Sequence, residues 1–94
     1  ADVVVTNPTH YAVALKYDRE KKEGAPKVVA KGAGEVANNI IKLAQEHDIF
    51  IKQDADLVEL LSKIELNKEI PPMLYKAVAE VFSFIYKITN DKRS

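Results

Sequence analysis

Four short hydrophobic runs in the chain predict β-strands. They cover residues 3–5, 11–17, 27–31 and 49–51 and are rich in β-branched or aromatic residues, which favour the pleated conformation. Asn7 and Pro8 separate the first two runs. Because proline fixes its own φ and keeps the residue before it extended, this dipeptide predicts a turn between two strands.

Hydrophobic residues at helical spacing predict three helices. The apolar face of the first, which reaches about residue 47, comprises Val36, Ala37, Ile40, Ile41 and Ala44. Asp54 or Asp56 can cap the second helix. Its apolar residues are Leu57, Val58, Leu60, Leu61 and Ile64. Two prolines at residues 71–72 suit the first turn of the last helix. The stripe of that helix comprises Leu74, Val78, Val81, Phe82, Ile85 and Ile88.

The order of these elements is two strands, then strand–helix–strand, then two helices. It predicts an α/β fold in which helices flank a small four-stranded mixed sheet, an α/β sandwich. A length of 94 residues, 47% of them hydrophobic, suits one domain over residues 1–94 with a modest core. The mixed charges of residues 18–23 indicate a solvated connection.

Composition excludes several classes of function. Lys and Arg number 14 and Asp and Glu number 14, so the net charge is zero, which argues against a nucleic-acid binder. Cysteine is absent, and His10 and His47 lack metal-ligand spacing, so we expect neither a metal site nor a cofactor. No apolar run is long enough to span a bilayer, and no signal peptide is visible. The sequence begins as though inside an element, which suggests an excised domain whose parent carries any membrane segment upstream.

The Asn7-Pro8 peptide bond is the most distinctive chemical feature of the chain. An asparagine side chain is usually attacked by the backbone nitrogen of the next residue, which leads to deamidation. Pro8 has no backbone N–H, so that route is closed. The remaining reaction is attack by the Asn7 side-chain nitrogen on its own backbone carbonyl carbon. It expels the Pro8 nitrogen, cuts the chain and leaves a succinimide on residue 7.

Such a cut needs help from the fold, because an amide nitrogen is a poor nucleophile. A strained turn with near-attack geometry and donors for the developing oxyanion would supply that help. His10 could assist proton transfer, and Thr9 could orient the turn. Asn-Pro is also common in ordinary turns, so the dipeptide alone does not establish cleavage.

Three blocks of sequence carry a resemblance to a known family. They are VVTNPTHYAVAL at residues 4–15, APKVVAKGAG at residues 25–34, and IPP, LY and AVAEV within residues 70–81. In this order they resemble the FlhB/YscU family of type III export proteins, and the flagellar branch more than the injectisome branch. One departure is clear: residues 55–61 read ADLVELL where the family often has PPLARAL, which puts a partner contact at this helix in doubt.

The resemblance implies a self-cleaving site made of Asn7, Pro8, Thr9 and His10. Cleavage would leave fragments 1–7 and 8–94, which stay associated. It would be a single intramolecular event, so we do not expect an enzyme that turns over other substrates. The resemblance also suggests an apolar patch for early export substrates at Ala25, Pro26, Ala79 and Phe82, with Ala25 and Pro26 exposed beside the last helix. Core packing explains Ala79 and Phe82 equally well.

The resemblance further implies a place and a role in the cell. The parent would lie in the bacterial inner membrane through its missing N-terminal region, with this domain on the cytoplasmic side. It would switch export from rod-and-hook to filament substrates. Its partners would be other membrane components of the export gate, a hook-length control protein, and export substrates with their chaperones.

Three alternatives remain beside this hypothesis. The first is an injectisome homologue of the same family. The second is a nucleotide-binding module, because Gly32-x-Gly34-x-x-Ala37 follows a predicted strand and Asp54 lies 20 residues after Gly34. Against it, 94 residues cannot hold a full two-halved nucleotide fold, and Asp54 can simply cap a helix. The third is a protein-binding adaptor that does not cleave itself.

Overall fold

A mixed sheet of four strands forms the centre of the fold. The computed structural model describes residues 2–8, 11–17 and 25–91, except for the side chains of residues 86–91. The strands are β1 (Val3–Asn7), β2 (Tyr11–Lys16), β3 (Lys27–Ala33) and β4 (Phe50–Gln53). Their order in the sheet is β3-β2-β1-β4. β1 is antiparallel to β2 and parallel to β4, so the predicted four-stranded mixed sheet is confirmed.

Three α-helices flank the sheet, as the sequence predicts. They are α1 (Glu35–Glu46), α2 (Ala55–Leu61) and α3 (Tyr75–Asp91), with a 3-10 helix at Pro72–Leu74 before α3. No helix within the described residues is both long enough and apolar enough to cross a membrane. The charged stretch at residues 18–23 lies outside the described residues.

Side-chain alternation in β1 gives the sheet two hydrophobic layers. Val3 and Val5 pack with α2, α3 and the segment around Ile70. Val4 faces the opposite way, toward α1. All three valines are at most 1% exposed. The α1 layer is built largely from small residues, namely Ala12, Ala14, Ala37 and Ala44. β1 therefore lies between two hydrophobic cores.

The segment that precedes β3 is buried, and the expectation that Ala25 and Pro26 are exposed is wrong. Ala25 is 8% exposed and belongs to the larger core, and Pro26 is also buried. The cause is a return of the chain after α2. The Ile70 N–H donates to the Pro26 carbonyl at 2.9 Å, and the Val28 N–H donates to the Lys68 carbonyl at 3.1 Å. This pairing covers the start of β3.

Some residues that were predicted to lie on the apolar faces of the helices are exposed or lie beyond the end of the helix. Val36 is 51% exposed, because it lies against Gly32 at the rim of the sheet rather than over its centre. Leu60 is 42% exposed. Ile64 lies beyond the end of α2 and still packs against the core. The side chain of Ile88 is outside the described residues.

Candidate self-cleavage site

The Asn-Pro dipeptide lies where the central strand ends. Asn7 is the last residue of β1 and pairs with Tyr11, the first residue of β2. Residues 8–10 connect them, the length of a short hairpin loop. Pro8 is exposed in a turn, whereas Thr9 and His10 lie outside the described residues. The scissile bond proposed from the sequence therefore follows directly on the last paired residue of a buried strand.

A backbone hydrogen bond fixes the Asn7 side chain. The Tyr11 N–H donates to Asn7 Oδ1 at 3.0 Å. Because a backbone N–H can only donate, the atom that faces it must be the amide oxygen and not the nitrogen. The orientation of the carboxamide is thereby set, with Oδ1 toward β2 and Nδ2 on the other arm of the amide. Sequence reasoning missed this contact, since a backbone donor leaves no signature in the residue types.

The backbone just before the site is anchored on both sides. Thr6 pairs with Ala12 of β2 and with Gln53 of β4. In addition, the Asp54 N–H donates to the Thr6 carbonyl at 2.8 Å. Asp54 Oδ1 accepts the Leu57 N–H at 3.1 Å, so the predicted role of Asp54 as the N-cap of α2 is confirmed. The start of α2 and the end of β1 are thus tied together, which gives Asn7 a rigid support.

The whole chain up to the middle of α3 matches a known family. A model of the FlhB HrpN YscU SpaS family matches residues 1–85. The chain belongs to this family. Flagellar biosynthetic protein FlhB of Yersinia enterocolitica is 51% identical over 94 residues, which cover 99% of this chain and 24% of that protein. The chain thus spans about a quarter of the length of that relative.

Two further similarities extend this assignment. YlqH of Bacillus subtilis, which carries the name of an uncharacterized protein, is 51% identical over 87 residues, 93% of this chain and 92% of that protein. The crystal structure of the cytoplasmic domain of FlhB from Shewanella putrefaciens has a TM-score of 0.88 at 36% identity. The match covers 99% of this chain and 71% of that chain. The four-stranded sheet with its helices is therefore the fold of an FlhB cytoplasmic domain.

The four residues proposed as a substrate patch do not form one exposed surface. Ala25 and Pro26 are buried, whereas Ala79 is exposed on α3. Phe82 is partly buried, packs against the same core as Ala25, and has its ring centroid 6.1 Å from that of Tyr17. No pattern in the sequence predicted this Tyr17 contact.

The glycine-rich turn after β3 has a steric explanation in this member of the family. A Cβ on Gly32 would lie 2.2 Å from Val36 Cγ1, and Gly34 has φ 58° and ψ −124°, which only glycine adopts readily. β3 and β4 lie at opposite edges of the sheet. Three strand spacings, about 14 Å, therefore separate the strand before the glycines from the strand before Asp54. In a dinucleotide-binding unit such strands are neighbours, so the alternative reading departs from the observed topology.

The described residues also show no candidate for metal binding. No three His, Asp or Glu side chains among residues 2–8, 11–17 and 25–85 converge on one point.

Proposed function

We propose that this chain is the self-cleaving export-switch domain of a flagellar-type type III export apparatus, cut between Asn7 and Pro8. The observation that carries the proposal is the position of Asn7, which ends an anchored strand with its carboxamide held through Oδ1. Membership of the FlhB family supports the cellular role. The flagellar name of a relative that is 51% identical favours the flagellar branch.

The reaction is a cyclisation of the Asn7 side chain. Nδ2 loses a proton and forms a bond with the Asn7 backbone carbonyl carbon, and the bond from that carbon to the Pro8 nitrogen breaks. The Pro8 nitrogen takes up a proton and becomes a new amino terminus. Residue 7 is left as a C-terminal succinimide, which water later opens. Since no second molecule is transformed, the event occurs once per chain.

The anchored strand supplies the rate enhancement. Attack within one residue needs no encounter between molecules, and a fixed geometry can contribute many orders of magnitude to such a reaction. Thr6 is held by both neighbouring strands and by the Asp54 N–H. Asn7 is held by Tyr11. Thr9 and His10 complete the proposed motif, with His10 as an assistant in proton transfer and not as the nucleophile.

The two fragments should remain associated after the cut. Residues 1–7 contribute β1, which pairs with β2 along its whole length and with β4 at residues 3–6. Val3, Val4 and Val5 are fully buried, and each contributes roughly 1.5–3 kcal/mol through burial. Cleavage would therefore release the loop that starts at Pro8 and leave the sheet intact.

The released loop is the switch in this proposal. The domain would face the cytoplasm below a parent in the bacterial inner membrane and would change export from rod-and-hook to filament substrates. Its partners would be the other export-gate components, a hook-length control protein and substrates with their chaperones. The region that matches this chain makes up a quarter of the Yersinia FlhB and nearly all of YlqH. The proposed cleavage needs only this region, so it applies whether or not the parent protein is longer.

Intact mass spectrometry tests the cleavage. The purified wild-type chain should separate into fragments 1–7 and 8–94 under denaturing conditions, while Asn7→Ala stays whole. Asn39→Ala is a matched control, because it changes an exposed asparagine of α1 to a residue that favours helices, and it should leave cleavage unaffected. A wild-type chain that remains whole through long incubation at neutral pH would contradict the proposal.

A secretion assay tests the switch separately. The flagellar parent with Asn7→Ala should continue to export hook-type protein and export little filament protein. If a parent that cannot be cut switches at the normal time, cleavage occurs but does not control the substrate class.

A further inference from the structure

The Tyr11 N–H occupies a position from which it can act on the proposed reaction directly. It donates to Oδ1 of the same carboxamide whose nitrogen attacks, at 3.0 Å. As Nδ2 loses its proton, the negative charge of the amide spreads to Oδ1. A donor that is already in place at this oxygen strengthens as the charge grows.

We propose that the backbone N–H of Tyr11 is a catalytic donor for self-cleavage, stabilising the charge that develops on Asn7 Oδ1 as Nδ2 loses its proton and becomes the nucleophile. This inference rests on the proposed function. Like an oxyanion hole, this donor is fixed in place and stabilises a developing negative charge. It differs in acting on the amide of the nucleophile and not on the attacked carbonyl. No additional reactant is needed, because the proton and the leaving group are those of the cyclisation itself.

The sheet keeps this donor in place without any side chain. Tyr11 begins β2 and pairs with Asn7 on one side and with Ala33 of β3 on the other. A strand between two partners has little freedom to turn its N–H away, so the donor does not need to reorganise during the reaction. The side chain at position 11 is thus irrelevant to the donor role, and the backbone register is what matters.

An amide-to-ester replacement tests the donor. The full chain is made with the α-hydroxy analogue of tyrosine at position 11, which removes the N–H and keeps the side chain. Cleavage is started by dilution from denaturant and followed by intact mass. We expect the rate to fall on the order of 10²-fold, the usual loss for one preorganised donor. The matched control is an ester at Val13, two residues along the same strand, whose N–H faces the same neighbour.

Three outcomes decide the matter. A slow Tyr11 ester beside a wild-type-like Val13 ester, both with a cooperative melting transition, supports the donor. A Tyr11 ester that cleaves as fast as the wild type overturns the inference and leaves the proposed function standing. A wild-type chain that does not cleave under the same conditions removes the proposed function itself.

Hydrogen exchange provides a second measurement if the ester chain does not fold. In Pro8→Ala, which we expect to cleave slowly, the Tyr11 amide should be protected from exchange. Adding Asn7→Ala should reduce that protection about fivefold, the effect of losing roughly 1 kcal/mol, and leave Val13 protected. Equal protection of Tyr11 in the two variants would show that the hydrogen bond to Asn7 is absent and would overturn the inference.

Discussion

Two connections at the ends of strands stand out in the sequence. The structure explains the residue types of one of them by local geometry, and it does not explain those of the other in this way. One is the Asn7-Pro8 connection at the end of β1, and the other is the turn at Gly32 and Gly34 at the end of β3. At the glycine turn, local geometry explains both glycines. Val36 leaves no room for a side chain at position 32, and a positive φ excludes most side chains at position 34.

The Asn7-Pro8 connection shows no comparable steric demand. Among the described residues the non-glycine positions with positive φ are Asp48 and Asn67, so Asn7 has an ordinary strand conformation. Pro8 is exposed. The Asn7 side chain accepts a hydrogen bond from the Tyr11 N–H, typically worth about 1 kcal/mol. The backbone conformation does not require asparagine at position 7, so the residue type there can be explained by a chemical role. Experiments can use this difference to distinguish the Asn7-Pro8 connection from the glycine turn.

The largest expected effect concerns the proline. Pro8→Ala restores an N–H at position 8, so the backbone nitrogen of that residue can attack the Asn7 side chain and cause deamidation. It also loosens the loop and the orientation of the scissile bond. We expect cleavage to slow on the order of 10²-fold, with the mass of a deamidated whole chain appearing instead. The melting temperature should change little, because Pro8 is exposed.

Unchanged cleavage in Pro8→Ala would show that proline is not needed to direct the reaction. Loss of cleavage together with a large loss of stability would show that the two connections do not differ as described. Intact mass and thermal unfolding of the same sample distinguish these results.

The sequence predicted the elements of the fold well, and its weak points have physical causes. Alternation and helical spacing located four strands and three helices, and Asp54 was one of the two residues predicted as the cap of α2. The order β3-β2-β1-β4 could not be read, since pairing between distant strands leaves no local pattern. The burial of Ala25 and Pro26 was missed because it depends on a return of the chain at residues 67–70.

The candidate site was predictable only in part for a related reason. The Asn-Pro bond and its possible chemistry follow from two residue types, and the family resemblance gave the motif. The contacts that hold Thr6 and Asn7 come from backbone groups of Asp54 and Tyr11 respectively. Backbone groups are the same in every residue, so only the register of the sheet reveals them.

The next effect in size is the steric one at Gly32. An added Cβ would lie 2.2 Å from Val36 Cγ1 and 2.7 Å from Val36 Cβ, so the start of α1 must shift. Gly32→Ala should destabilise the protein by about 2 kcal/mol, measured by denaturant unfolding in an Asn7→Ala background where every chain is whole. Chains that fold should still cleave at nearly the wild-type rate when Asn7 is present.

Val36→Ala provides the matched control for this clash. It removes the nearer of the two atoms, so in combination with Gly32→Ala it should recover part of the lost stability, on the order of 0.5–1 kcal/mol of favourable coupling. Strictly additive effects would mean that position 32 is sensitive for a reason other than contact with Val36.

A comparable effect, with opposite signs for L-alanine and D-alanine, is expected at Gly34. No atom lies within 4 Å of an added Cβ there, so the cost depends only on φ 58° and ψ −124°. Gly34→Ala should destabilise by about 1–3 kcal/mol. D-alanine at the same position adopts these angles without strain and should stabilise by about 0.4–1 kcal/mol, because it restricts the unfolded chain. Equal effects of both forms would refute the conformational explanation.

The smallest effect distinguishes the cap from a nucleotide contact at Asp54. Asp54→Ala removes the acceptor for the Leu57 N–H and should cost about 1 kcal/mol, or roughly 4–8 °C in melting temperature for a chain of this size. Asp54→Asn keeps a capping oxygen and should be nearly neutral. Both variants retain the Asp54 N–H that binds the Thr6 carbonyl, so cleavage should continue. If Asp54 instead held a ribose, NAD or ATP would raise the melting temperature of the wild type and not of Asp54→Ala. We expect no such difference, because Asp54 and the glycine turn follow strands at opposite edges of the sheet.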